Sequence, residues 1–200
     1  MPEPFDEVSL IQSARKGSLS AFNRLVVAYQ GLAYNVAYRI LGDPDAAADA
    51  TQDGFLKAYK ALYQYKGGSF KAWLMRIITN VCYDQLRQKQ RRPTESLESL
   101  LIDADHTPQF INGHEGPEEH ALRAELSHAL QAAINALPAD QRVTLVLSDI
   151  QGMSYEEIAQ VTGVAVGTVK SRLSRGRARL RDLLLQRPEL LPQAYRLNSE

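Results

Sequence analysis

The 200-residue chain balances 23 lysines and arginines against 23 aspartates and glutamates, and 44% of it is hydrophobic. That composition suits one large or two small globular domains and excludes a disordered or fibrous chain. A single cysteine, Cys82, rules out an internal disulfide framework and fits a reducing compartment. The start, MPEPFDEVSL, has neither the basic opening nor the apolar run of a signal peptide, and no apolar stretch approaches the ~20 residues that span a bilayer. The sequence reads as that of a soluble cytoplasmic protein with no membrane insertion.

Apolar residues recur at three- and four-residue spacing and strand-like alternation is scarce, which predicts an all-α fold. A first helical block runs from about Val8 to Gln90, with breaks at Gly17-Ser18, Gly42-Asp43-Pro44 and Gly67-Gly68-Ser69, and Pro93 closes it. Within it, DPDAAADATQDGFLKAYKAL predicts one helix from Pro44 to Leu62, with proline suited to the first turn. Ala48, Thr51, Phe55, Ala58 and Leu62 form its expected core side. Asp49, Gln52, Asp53, Leu56 and Lys60 form an exposed row with an apolar centre, a pattern shared by protein-binding hot spots and by ordinary solvated faces.

The last helix of the block lies in YKGGSFKAWLMRIITNVCYDQLRQKQRR. Leu74, Ile77, Ile78, Val81 and Gln85 share its expected core side. Ala72, Arg76, Thr79, Asn80, Tyr83 and Arg87, with Trp73 at the edge, share the other. Aromatic, amide and guanidinium groups on one face suit single-stranded bases and their backbone, and Gly67-Gly68-Ser69 allows a loop that cradles an extruded base. Arg87, Lys89, Arg91 and Arg92 add cations for phosphate. From pattern alone, Phe70 and Trp73 are more often core residues.

Thr94 to Glu119 holds seven acidic residues, no basic ones, two prolines and two glycines, the composition of a flexible linker. A second helical block begins near His120. ALRAELSHALQAAINALP shows an apolar face through Leu122, Leu126, Leu130, Ile134 and Leu137, and ADQRVTLVLSDIQG predicts a further helix.

The sharpest signal is MSYEEIAQVTGVAVGTVKSRLSRGRARLRDLL. Ser154 and Glu157 have capping-box spacing, Gly163 sits where a left-handed cap ends a short helix, and a second helix starts near Ala165. This is the helix-turn-helix layout that places its second helix in a DNA major groove. Around that helix, Val166, Val169, Leu173, Leu180 and Leu184 make an apolar stripe, while Gly167, Ser171, Ser174 and Ala178 make a ridge of small residues opposite. Thr168 to Arg181 carries six cations and no acid. Flanking a narrow ridge, they suit phosphates on both groove walls while the ridge nears base edges.

Other chemistry lacks a pattern. His106, His114, His120 and His128 are spaced too widely for one set of metal ligands, and no phosphate loop or nucleophile elbow is present. No cofactor, metal site or catalytic residue is expected, and Cys82 reads as a small, partly buried residue.

The motifs together resemble an extracytoplasmic-function (ECF) sigma factor of the sigma-70 family. The segment from DAAADATQDGF to RQKQRR is similar to sigma region 2, and the segment from ALPADQRVTL to SRGRARLR to region 4. The resemblance implies residues 1–93 as a region 2 bundle, 94–119 as linker, 120–187 as region 4 and 188–200 as a short tail. It implies a promoter-specificity subunit that binds core RNA polymerase, recognises −35 and −10 elements and opens the duplex, with no enzymatic activity of its own. Asp49, Gln52, Asp53, Phe55 and Leu56 match positions that dock on the β′ clamp helices, and region 4 would sit on the β flap. Ser69, Phe70, Trp73, Arg76, Asn80, Tyr83 and Arg87 match positions facing the single-stranded −10 element. Lys170, Ser171, Ser174, Arg175 and Arg177 match positions facing the duplex −35 element. An anti-sigma partner and a bacterial cytoplasmic, nucleoid-associated location are implied as well. Many relatives carry proline where this chain has Ala165 and alanine where it has Gly176. A stand-alone helix-turn-helix regulator and a non-transcribing decoy are the alternatives. The first has no use for a docking face from Asp49 to Leu56, and the second none for Arg76, Asn80 and the basic helix.

Overall fold

The computed structural model describes residues 6–91 and 117–186, and within them the side chains of 6–89 and 125–186. Most of the expected linker and the whole expected tail lie outside the described residues. Eight α-helices are present among those residues, and no strand: α1 (Glu7–Arg15), α2 (Leu19–Leu41), α3 (Pro44–Ala61), α4 (Phe70–Arg91), α5 (Pro117–Asn135), α6 (Ala139–Leu145), α7 (Tyr155–Thr162) and α8 (Val166–Leu184). A short 3-10 turn, Leu62–Gln64, follows α3, and a π-type turn, Val146–Ile150, follows α6.

The breaks fall where local chemistry places them. Asp6, Ser18 and Asp43 each accept a hydrogen bond from the backbone three residues on and so start α1, α2 and α3. Pro44 occupies the first turn of α3. Helix α5 begins at Pro117 and not near His120, another proline in a first turn.

The first unit, α1 to α4, packs α2, α3 and α4 around Phe22, Leu25, Val36, Ile40, Phe55, Leu74 and Ile78. The second unit packs α6, α7 and α8 around Val143, Val146, Leu147, Ile158, Val169 and Leu173. Two expected orientations change. Ala48 is exposed, and Ala47, Ala50 and Gly54 face the core of the unit instead. Thr79 is fully buried, because α4 is covered on two flanks: α2 and α3 on one, α6 and α7 on the other. Cys82 is likewise fully buried, beyond the partial burial its helix position predicts.

The two units meet at the end of α2. The last carbonyls of a helix have no partner within it and carry its negative dipole end. Here the second unit supplies partners. Arg142 donates to the Ile40 carbonyl at 2.7 Å, and Gln131 donates to the carbonyls of Tyr38 and Arg39 at 3.4 and 3.5 Å. Arg39 returns a bond to the Gln131 side-chain oxygen at 2.8 Å. Arg142 also donates to the Asn135 carbonyl and, at 3.2 Å, to that of Leu137, holding the α5–α6 turn. Burial lowers the pKa of both guanidinium groups. Further along, the Lys71 ammonium donates to the Gln151 carbonyl at 2.9 Å, joining α4 to the turn before α7.

Candidate nucleic-acid and partner interfaces

Three surfaces carry the expected chemistry. The first is an apolar groove between α2 and α3, of about 750 Å³, lined by Leu19, Phe22, Val26 and Tyr34 from α2 and by Thr51, Phe55, Leu56 and Tyr59 from α3. Leu56 is 52% exposed and Leu19 58%, so the groove carries two solvent-exposed leucines. Phe22 and Tyr59 pack at 4.9 Å between ring centroids and form part of its floor. Asp49, Gln52 and Asp53 are exposed on the same helix, so α3 presents the row its sequence predicts. Phe55 is buried and lines the groove. The contribution of α2 has no signal in the sequence pattern of α3.

The second surface is the start and outer face of α4. Ser69 caps the helix, its hydroxyl accepting from the Ala72 backbone at 3.1 Å. The preceding loop is tied down by Tyr65, whose hydroxyl donates to the Gly68 carbonyl at 2.7 Å. Phe70, which the resemblance matches to a DNA-facing position and the pattern to the core, is buried. It is only 1% exposed, because Tyr29, Tyr65 and Trp73 close around it at 5.5 to 5.7 Å between ring centroids. Tyr29 in turn donates to the Glu7 carboxylate, so α1 buttresses the same cluster. Trp73 is half-buried at its rim. Arg76, Asn80 and Arg87 are exposed along α4, and Ser69 is exposed at its start. Tyr83 is half-buried, with Arg87 6.0 Å above its ring. Burial raises the Tyr83 pKa, with Arg172 and Asp140 of the second unit among the charges that act on it.

The third surface is α8. The capping box forms as its spacing predicts: the Glu157 backbone donates to the Ser154 hydroxyl at 3.2 Å and the Ser154 backbone to the Glu157 carboxylate at 2.9 Å. Gly163 ends α7 at φ 70°, a left-handed conformation that glycine adopts without a Cβ penalty. Val169 and Leu173 are buried, and Gly167, Ser171, Ser174 and Ala178 are exposed, as the wheel predicts. Gly176 joins the buried side, against Gln141 and Leu145 of α6.

The six cations of α8 differ in what they touch. Arg177 forms a two-pronged pair with Asp149 of the π-type turn, Nε to Oδ2 at 2.9 Å and Nη2 to Oδ1 at 2.6 Å. The hydrogen bonds from Arg177 hold the Asp149 carboxyl below its usual pKa, and the same bonds raise that of the guanidinium. Arg172 lies 3.1 Å from Asp140 of α6. Arg181 lies 3.7 Å from its neighbour Asp182, both largely exposed. Lys170, Arg175 and Arg179 have no carboxylate partner among the described residues. Arg175 instead donates to the Ser171 carbonyl and hydroxyl at 3.2 and 3.3 Å, and lies along its own helix.

Comparison with known proteins adds to this geometry. Residues 25–92 match the family Sigma-70 region 2, and residues 127–180 match Sigma-70, region 4. The ECF RNA polymerase sigma-E factor of Escherichia coli is 36% identical over 183 residues, which cover 88% of this chain and 93% of that protein. The RNA polymerase sigma-H factor of Pseudomonas aeruginosa is 36% identical over 84% of this chain and 88% of its own length. Among solved structures, the sigma factor RpoE in complex with the anti-sigma factor NepR from Bartonella quintana aligns with a TM-score of 0.64 at 29% identity, covering 83% of this chain and 98% of that one. CnrH in complex with the cytosolic domain of CnrY aligns at 0.61 and 28% identity, covering 89% and 96%.

Proposed function

The chain belongs to the sigma-70 family, in its extracytoplasmic-function branch, and from that premise we propose how its three surfaces divide the work of a promoter-specificity subunit of RNA polymerase. The groove between α2 and α3 receives the β′ clamp helices of the core enzyme, with Leu56 and Leu19 inserting and Phe55 at the floor. Asp49, Gln52 and Asp53 supply a polar rim that selects register. The exposed row of α4, Arg76, Asn80 and Arg87, with Ser69 at its start, holds the unpaired non-template strand of the −10 element. The half-buried rings of Trp73 and Tyr83 offer stacking edges. Phe70 shapes the loop from within and makes no DNA contact of its own.

Helix α8 enters the major groove of the −35 element, where the Gly167, Ser171, Ser174 and Ala178 ridge allows close approach and Lys170 and Arg175 reach bases or phosphates. The chain contributes binding energy only. Opening of the duplex follows because flipped, stacked bases are held more tightly than paired ones. An anti-sigma protein is the natural antagonist, since one structural neighbour is a sigma factor in complex with an anti-sigma factor. The protein would act in the bacterial cytoplasm, and no described helix is long and apolar enough to cross a membrane.

The observation that carries this reading is the open apolar groove beside an acidic helix row, in the same chain as two exposed basic helix faces. Binding of the purified chain to core polymerase tests it. Leu56→Asp should abolish association while leaving the helical content unchanged, because Leu56 projects into solvent. Retention of wild-type affinity by that variant would refute the docking assignment.

A further inference from the structure

We infer that five of the six cations of α8 are divided between two tasks: Arg172 and Arg177 are positioning residues that clamp the helix to its own domain, and the DNA backbone is met by Lys170, Arg175 and Arg179, while Arg181 stands beside its neighbour Asp182. The inference rests on α8 being the helix that reads duplex DNA, and it removes Arg177 from the expected set of DNA contacts.

Three observations carry it. First, the partners differ in kind. Arg177 places both prongs of its fork on one carboxylate, which is the geometry that makes an exposed pair count. Its second prong also lies 3.5 Å from the Ser148 hydroxyl. Second, the two anchors sit outside α8: Asp140 is on α6 and Asp149 on the turn leading to α7. Third, the two anchored cations lie on opposite flanks of the buried stripe. At 100° per residue, Arg172 and Arg177 fall on opposite sides of the buried Val169, Leu173 and Leu180 stripe, about 80° and 60° from its centre. Lys170, Arg179 and Arg175 fall about 80°, 100° and 140° from that centre and flank the small-residue ridge on both sides.

Two clamps on opposite flanks of the buried stripe fix the rotation of α8 about its own axis. That rotation decides which residues reach base edges. The pairing also neutralises the Asp149 carboxylate.

The two roles differ in salt dependence. A phosphate contact releases counterions and adds about 0.9 to the slope of log affinity against log salt, whereas a clamp adds nothing. The experiment uses holoenzyme reconstituted from core polymerase and the full chain. The probe is a duplex enriched from a randomised library by the wild-type holoenzyme, titrated across potassium chloride concentrations. Arg175→Ala should lower the slope by about 0.9.

Arg177→Gln should weaken binding on the order of fivefold at every salt concentration, with a parallel slope. In an Asp149→Asn background, Arg177→Gln should have no further effect. Arg177→Lys keeps the charge but not the fork, so it should lose affinity like glutamine. A slope reduced by about 0.9 in Arg177→Gln, with the same loss in both backgrounds and retention by lysine, would make Arg177 a phosphate contact and overturn the inference. Failure of the wild-type holoenzyme to enrich any duplex would instead refute the promoter-reading function itself.

Discussion

Gly42 lies where the two units touch, and replacing it separates backbone strain from the cost of disturbing that junction. Gly42 has φ 75° and Gly163 has φ 70°, so an alanine at either pays the same left-handed penalty, about 1 kcal/mol. Their surroundings differ. A Cβ at Gly163 meets nothing within 4 Å, whereas one at Gly42 comes within 2.6 Å of the carboxamide carbon of Asn135. That carboxamide accepts from Gln131 at 3.0 Å, and Gln131 is the residue that caps the α2 carbonyls. Moving Asn135 aside therefore loses at least one part-buried hydrogen bond, about 1 kcal/mol, with some loss of packing besides.

The expected destabilisation is about 1 kcal/mol for Gly163→Ala and about 2–3 kcal/mol for Gly42→Ala. The assay is urea unfolding of the full chain followed by circular dichroism, comparing midpoints at constant slope. Asn135→Ala in the Gly42→Ala background should recover about 1 kcal/mol, because it clears the space. Equal losses at the two glycines, or no recovery in the double variant, would refute the claim that the junction is specifically packed at Asn135.

Three further outcomes are expected. Gly176→Ala should stabilise by about 0.5–1 kcal/mol, since a Cβ there makes ordinary contacts of 3.5 to 3.8 Å with Gln141 and Leu145 and the helix gains propensity; a lower melting temperature would contradict it. Cys82 should be inert to thiol reagents until the protein unfolds, because it is fully buried and burial pushes its pKa up to about 12; stoichiometric labelling of native protein would contradict this. The Asp149–Arg177 pair should contribute to stability above the unfolded carboxylate pKa and lose that contribution as pH falls through the lower folded value, so melting temperatures of wild type and Asp149→Asn should converge only at acid pH, below about 4.

What could be read from the sequence was what neighbours within one helix decide. The Ser154–Glu157 box, the Gly163 turn and the small ridge of α8 depend on residues a few positions apart. The exposed row of α3 was legible for the same reason. Facing depends on what a helix meets, and there the pattern misled. Thr79 was assigned to an open face because α4 viewed alone has two sides, whereas α6 and α7 cover one of its flanks. Its hydroxyl has no hydrogen-bond partner among the described residues, which makes burial the less obvious choice from chemistry alone. Phe70, by contrast, lies in the core as pattern alone has it, held there by Tyr29, 41 positions earlier, as well as by close neighbours. The partner of Arg177 is 28 positions away, in a π-type turn that shifts the helical phase and has no residue signature.

The junction at the end of α2 also orders events in time. Its hydrogen bonds join residues 92 and 102 positions apart, and the Lys71 bond spans 80. Closing a loop of that size costs about 4 kcal/mol of chain entropy, whereas the α2–α3 connection closes almost none. Each helical unit is therefore expected to assemble from local contacts before the two dock. A refolding experiment that follows α-helix and junction separately would see two steps.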